Sequence, residues 1–105
     1  MKAILSNIEK EYNSTVSKVV QIDDIYVLLL RRTHTDKFNN NVIAINKNGT
    51  VLWQIEEVEF YDISPYTNIF IDDDNRLQAY NWIGMEYFVD ITNGKITRAR
   101  EGRLW

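Results

Sequence analysis

Asn41-Val42-Ile43-Ala44-Ile45-Asn46-Lys47-Asn48-Gly49-Thr50-Val51-Leu52-Trp53-Gln54-Ile55 is the stretch whose reading decides the fold class. Asn41 to Asn46 is a short run of β-prone residues. Asn48-Gly49 follows, two residues that tolerate positive φ, which is the strongest short-range hairpin signal. Thr50 to Ile55 then returns, with Val51, Trp53 and Ile55 at period-two spacing and so expected on one face. The stretch reads as strand, tight turn, strand.

Upstream, Val16 to Ile22 reads as a strand rich in Val and Ile, and Asp23-Asp24 breaks it. Ile25 to Arg31 is apolar at nearly every position, the pattern of a strand buried on both faces. Arg32 to Asn41 is polar and reads as a loop. The first dozen residues admit two readings. Leu5, Ile8 and Tyr12 have helical spacing, but the segment also suits an edge strand.

Downstream, the alternation slips by one residue, since Val58 and Phe60 continue it in the opposite phase. A bulge or bend at Glu56-Glu57 would produce such a slip. Ser64-Pro65 marks a further bend. Asn68 to Ile71 is a short strand and Asp72 to Asn75 a turn. Arg76 to Trp82, Met85 to Ile91 and Lys95 to Arg100 complete a meander, with turns at Gly84 and Asn93-Gly94. The expectation is a single mainly β domain over residues 1–105. It would be an antiparallel meander forming a twisted sheet, a small sandwich or a partly open barrel, with or without a short N-terminal helix.

Ala44 to Val51 lines up with Val89 to Ile96 at an offset of 45 residues, a weak internal repeat. That offset is close to a propeller blade period of about 40–50 residues. The plainer reading is that two Asn-Gly hairpins look alike in any β protein. Two blades cannot close a ring, because propellers need at least about four. The stretch 41–55 resembles a strand–turn–strand of pyrroloquinoline-quinone-type propeller repeats, which carry an acid before the turn and Gly-x-x-x-Trp after it. Gly49 and Trp53 match, whereas Asn46 stands at the acid position and Arg98 follows Gly94 where the later repeat would need Trp. The resemblance implies a hairpin geometry, not a bound cofactor, and no cofactor is expected.

The chain has 105 residues, 45% of them hydrophobic, with three Trp, six Tyr and four Phe. That suits one domain with one modest core. With no cysteine, disulfides, thiolate metal sites and a cysteine nucleophile are excluded. The first residues lack the apolar stretch of about seven to fifteen that a secretory signal needs. The longest apolar run, Ile25 to Leu30, is far short of the ~20 residues that span a bilayer. The expected setting is soluble and cytoplasmic, away from membranes.

Candidate catalytic chemistry is sparse. His34 is the one histidine, in the polar stretch Thr33 to Lys37, and no Gly-x-Ser-x-Gly accompanies it. Asp72-Asp73-Asp74-Asn75 resembles the start of a calcium loop, but Gln78 and Ile83 occupy the positions that need Gly and Glu. Glu56, Glu57 and Glu59 lie close together, with nothing to desolvate one of them for acid–base work. The four glycines are isolated, so no phosphate-binding loop is present. Lys95, Arg98, Arg100 and Arg103 make the C-terminus basic, yet the net charge of −3 argues against nucleic acid. Lys95 to Arg100 reads as an edge strand guarded by charge. Neither an enzyme nor a metal protein is expected.

The most informative feature is acidic. From Gln54 to Asn75 there are seven acids and no Lys or Arg. Phe60, Tyr61 and Tyr66 sit among them. Interface hot spots favour Tyr, and flanking charge steers association. The whole chain also resembles small β-rich bacterial immunity proteins of contact-dependent growth-inhibition systems. Asn81-Trp82-x-Gly84 followed by Asp90-x-x-x-Gly94-Lys95-Ile96 is part of that likeness. The resemblance implies a toxin inhibitor whose partner is a cognate toxin domain, a basic nuclease being the best fit to the acids. The expected contacts are Glu57, Glu59, Tyr61, Asp62 and Tyr66, with Asp72, Asp73 and Asp74 adding long-range steering. The expected state is a monomer or weak dimer. Two other readings stand beside it. One is a small-ligand or accessory β domain with a pocket of Trp53, Tyr80, Trp82 and Tyr87, and the other an oligomerising module that pairs through an edge strand.

Overall fold

The computed structural model describes residues 1–31, 38–58 and 63–99. Helix α1 (Lys2–Tyr12) opens the chain. Strands β1 (Val16–Ile22), β2 (Ile25–Leu30), β3 (Val42–Ile45) and β4 (Val51–Gln54) form one antiparallel meander. Strands β5 (Tyr66–Ile71), β6 (Leu77–Asn81), β7 (Glu86–Val89) and β8 (Ile96–Arg98) form a second. No hydrogen-bonded pairing joins the two sheets among the described residues, and neither closes on itself. The fold is therefore mainly β, with the sheets stacked as a sandwich. No described helix is long and apolar enough to cross a membrane.

The layers follow from the apolar pattern. Val27, Leu29, Val42, Ala44, Trp53 and Ile55 of the first half pack against Tyr66, Ile69, Leu77, Ala79, Tyr87 and Val89 of the second, making the core between the sheets. The alternate residues Leu28, Leu30, Ile43 and Ile45 point the other way and meet Ile8 of α1, with Ile4, Leu5 and Tyr12 alongside. Strands β2 and β3 are thus buried on both faces, as the continuous run Ile25–Leu30 required. Each fully buried Leu or Ile contributes about 1.5–3 kcal/mol. The helical reading of the first dozen residues is the one observed. Asn13 ends α1 at φ 51°. Its N–H donates to the Lys10 carbonyl and that of Ser14 to Glu9, so the last carbonyls are satisfied by a left-handed cap. The Glu9 carboxylate also accepts the Val16 N–H at 2.8 Å, tying the helix to β1.

One expectation is corrected in β4. Ile45 pairs with Val51 and Ala44 with Trp53, so Leu52 is an extra residue and the strand bulges there. The bulge reverses the phase. Val51 joins the helix-side cluster, while Trp53 and Ile55 join the core between the sheets. A second slip follows at Glu56-Glu57, as expected, since Ile55 and Val58, three residues apart, both lie in the core between the sheets, beyond the end of β4 at Gln54.

Three of the hairpin turns share one device. The side-chain oxygen of Asn46 accepts the N–H groups of Asn48 and Thr50 at 2.9 and 3.1 Å. Asp72 accepts those of Asp74 and Arg76 at 2.9 and 3.0 Å, and Asn81 that of Met85 at 2.9 Å. In each turn the fourth residue, Gly49, Asn75 or Gly84, is left-handed and donates its N–H back to the first carbonyl. The repeated hairpins β3–β4 and β7–β8 occupy equivalent places, the third and fourth strands of each meander.

Candidate functional site

Meander topology puts the β5–β6 and β7–β8 turns at the same end of the second sheet. The first of these is Asp72–Arg76 and the second Asp90–Lys95. Glu56 is fixed at the second, because its N–H donates to the Gly94 carbonyl at 3.0 Å and its carboxylate accepts the Ile96 N–H at 3.0 Å. Ile22, the last residue before the Asp23-Asp24 turn of β1–β2, lines a cleft of about 280 Å³ with Asn75, Arg76 and Asp90. Ile22, next to Asp23-Asp24, and Glu56, next to Glu57, thus both reach the end of the second sheet that carries Asp72, Asp73, Asp74 and Asp90, although they leave the first sheet at opposite ends. Arg76 and Lys95 lie among them, and Lys47 sits in the β3–β4 turn.

The acids differ in their engagement. The Asp72 carboxyl titrates below its ordinary value, chiefly because the Gln78 amide donates to it, and then because of the Arg76 N–H. Its Oδ2 lies 2.7 Å from Gln78 Nε2 and 3.2 Å from Arg76 Nε. Asp74 meets the other arm of the same guanidinium at 3.1 Å. Asp90 is also lowered, first by the Thr92 hydroxyl, which donates to it at 2.6 Å. Asp73 is exposed. These bonds make the turns rigid and keep the carboxylates ionised. No group of three or more His, Asp or Glu placed to hold a metal occurs among the described residues.

Of the expected contacts, Glu57 is exposed, as are Asp73 and Asp74, while Asp72 is partly buried. Glu59, Tyr61 and Asp62 lie outside the described residues, as do His34, Phe60, Arg100, Arg103 and Trp105. Tyr66 is not a surface contact. It is 2% exposed in the core, and its hydroxyl donates to the Glu56 carbonyl at 2.7 Å. Its ring stands edge-on to Tyr87, and burial pushes its phenol far above the usual value. The expected pocket is corrected too. Trp53 and Tyr87 lie in the core between the sheets, whereas Tyr80 and Trp82 are exposed elsewhere. Tyr80 pairs with Glu86 while Tyr87 pairs with Ala79, so Tyr80 and Tyr87 point to opposite faces.

Two features escaped the sequence. Asp23, Asp24 and Asp90 join the acidic run only through folding, because they stand far from it in the chain. Trp82, 66% exposed in the β6–β7 turn, is the most exposed large apolar side chain described. The alternation Leu77, Ala79 inward and Gln78, Tyr80 outward could have flagged that side of β6.

A profile for a domain of unknown function, DUF7957, matches residues 4–101. The chain belongs to the DUF7957 family. The match spans both sheets and nearly all of α1, so the whole sandwich is the DUF7957 unit and the acidic end lies within it. No curated protein and no solved structure matches the chain.

Proposed function

We propose that this DUF7957 protein is a protein-binding module that neutralises a cognate bacterial toxin, in the manner of immunity proteins of contact-dependent growth inhibition. The observation that carries the reading is the approach of acidic stretches from four chain segments to one end of the second sheet. An acidic, rigid surface of this kind is complementary to the basic cleft with which a nuclease holds phosphate. It would occlude that cleft sterically and electrostatically, without chemistry of its own. Glu57, Asp73 and Asp74 are the described residues best placed to act. Glu59, Tyr61 and Asp62 belong to the same proposal by sequence. A cytoplasmic site of action fits an inhibitor that meets the toxin after entry.

The test is co-expression with the protein encoded immediately upstream in the source genome. Growth rescue with nanomolar binding, about −12 kcal/mol, is the expected result. The on-rate should fall several-fold or more between low and physiological salt, because exposed charges are screened over about 8–10 Å. Absence of both rescue and binding overturns the pairing, and a salt-insensitive on-rate overturns its electrostatic part.

A second reading, small-ligand binding, draws on a cleft of about 410 Å³ between α1 and β1, lined by Leu5, Glu9, Val16 and Lys18. That volume is within the range of ligand sites. A ligand-dependent rise in melting temperature across a metabolite panel, lost in Leu5→Trp, is the result that would favour it.

A further inference from the structure

The outer faces of the two sheets differ in what lies over them. On the first sheet, α1 buries the aliphatic residues Leu28, Leu30, Ile43 and Ile45. On the second, the register sets Phe70, Gln78 and Phe88 in one cross-strand row and Tyr80 in the next. Trp82 lies two residues further on. No described helix or strand covers this face. Its apolar residues are aromatic rather than aliphatic, and Asn68, Glu86 and Thr97 share the two rows, a composition suited to a surface that meets both water and a partner.

One detail points to what the partner carries. Gln78, at the centre, is 8% exposed and gives its Nε2 to Asp72, while its Oε1 is shut off from solvent and offers nothing to a partner. At the rim, Asp72, Asp73 and Asp74 stand against Arg76, which lies 4.2 Å over the Phe88 ring. The acidic rim favours a cationic partner. Four strands about 4.8 Å apart and about five residues long give a footprint of roughly 300 Å². A footprint of this size suits one helix, and α1, 11 residues long, covers the corresponding face of the first sheet.

We infer that the outer face of the second sheet is the docking site for a basic amphipathic helix of the partner protein. Its apolar side rests on Phe70, Phe88, Tyr80 and Trp82, and its Lys or Arg side chains reach the Asp72–Asp74 rim. The inference rests on the reading of the chain as a protein-binding module, and it separates the anchoring face from the acids that steer.

The probe is a labelled 14-residue helical peptide of Leu and Lys in amphipathic order, with a Leu/Glu peptide of the same pattern as control. The Lys peptide is expected to bind the full chain. Affinity should fall at least tenfold in Tyr80→Ser and in Trp82→Ser, both exposed positions, with melting temperatures checked for each. Asp73→Asn with Asp74→Asn should weaken binding several-fold and flatten its salt dependence. Leu52→Ser, on the first sheet, should leave it unchanged. Equal binding of the Glu peptide overturns the inference, and so does indifference to Tyr80→Ser and Trp82→Ser. Binding that emerges only after deletion of residues 100–105 overturns it in favour of the chain's own C-terminal segment. A dimer in sedimentation that Tyr80→Ser dissolves overturns it in favour of a second copy. Toxin rescue retained in both serine variants overturns this face and leaves the immunity reading standing. Peptide binding as expected, beside a failed toxin pairing, supports the face and overturns only that reading.

Discussion

The side-chain amide of Asn41 pairs with the backbone of Tyr66 as a strand would. Its Nδ2 donates to the Tyr66 carbonyl at 2.8 Å, and its Oδ1 accepts the Tyr66 N–H at 2.8 Å. The same Nδ2 donates to the Leu30 carbonyl at 2.7 Å, so one buried residue joins β2 to the start of β5. Asn39 adds a parallel tie, accepting the Ser64 N–H at 2.9 Å. Asn41→Leu would leave three backbone groups unpaired, and each costs about 1–3 kcal/mol where it stays buried. A loss of about 3 kcal/mol or more is expected in urea denaturation, as a lower midpoint with an unchanged slope.

Trp53 and Gly94 give a second prediction. Gly94 has φ 79°, and a Cβ there would stand 2.7 Å from Trp53 Cε3. The indole is held in place by its Nε1, which donates to the Ile91 carbonyl at 2.7 Å. Gly84 has φ 89° but meets nothing nearer than the Tyr80 hydroxyl at 3.5 Å. Gly84→Ala should cost about 1–2 kcal/mol from backbone conformation alone. Gly94→Ala adds a clash worth about 1–3 kcal/mol more. The check is a clearly larger drop in melting temperature for Gly94→Ala, and equal drops would contradict the contact.

The pH profile should have two limbs. Asp72 and Asp90 titrate lower in the folded chain than in the unfolded one. Their contribution is present above the unfolded carboxylate range and is lost as pH falls through the folded values. Tyr66 is raised by burial, so its contribution is present below the ordinary phenol range and is lost as pH climbs through the folded value. Asp72→Asn should flatten the acid limb of stability against pH, and Tyr66→Phe the alkaline limb. Tyr66→Phe should also cost about 1 kcal/mol at neutral pH for the lost bond to Glu56. Stability curves between pH 2 and 11 test both.

Helix α1 contributes through its apolar stripe. Ile8 is 5% exposed against Leu28, Leu30, Ile43 and Ile45. Ile8→Ala should cost about 2–5 kcal/mol by lost transfer energy and the cavity left behind. Leu52, 44% exposed at the β4 bulge, should tolerate Ala within about 0.5 kcal/mol. Chemical denaturation of the pair decides whether α1 is a structural layer or an ornament.

The parts legible in the sequence were those set by local chemistry. Asn48-Gly49 announced a hairpin because only certain residues accept its backbone angles. Ile25–Leu30 announced a doubly covered strand because no residue in it suits water. The parts that were not legible depend on contacts far apart in the chain. Val51 changes face because Leu52 bulges, which no period-two count detects. Tyr66 looked like a surface anchor amid acids, but Asn41 and Asn39 pull its strand into the core. Of the site, the acidic run was visible, whereas its union with Asp23, Asp24 and Asp90 is a product of topology. The exposure of Tyr80 and Trp82 followed from the register of β6, which the turn at Asn81–Gly84 sets.

Every hydrogen-bonded strand pair among the described residues joins strands that are neighbours in the chain. The consequence is kinetic. Each meander can zip from its own turns without first closing a long loop, and the entropy of loop closure that slows most β proteins is correspondingly small. What remains is the docking of one finished sheet on the other. That step seats Asn41 on Tyr66 and buries Trp53 against Gly94, contacts that neither half can make alone.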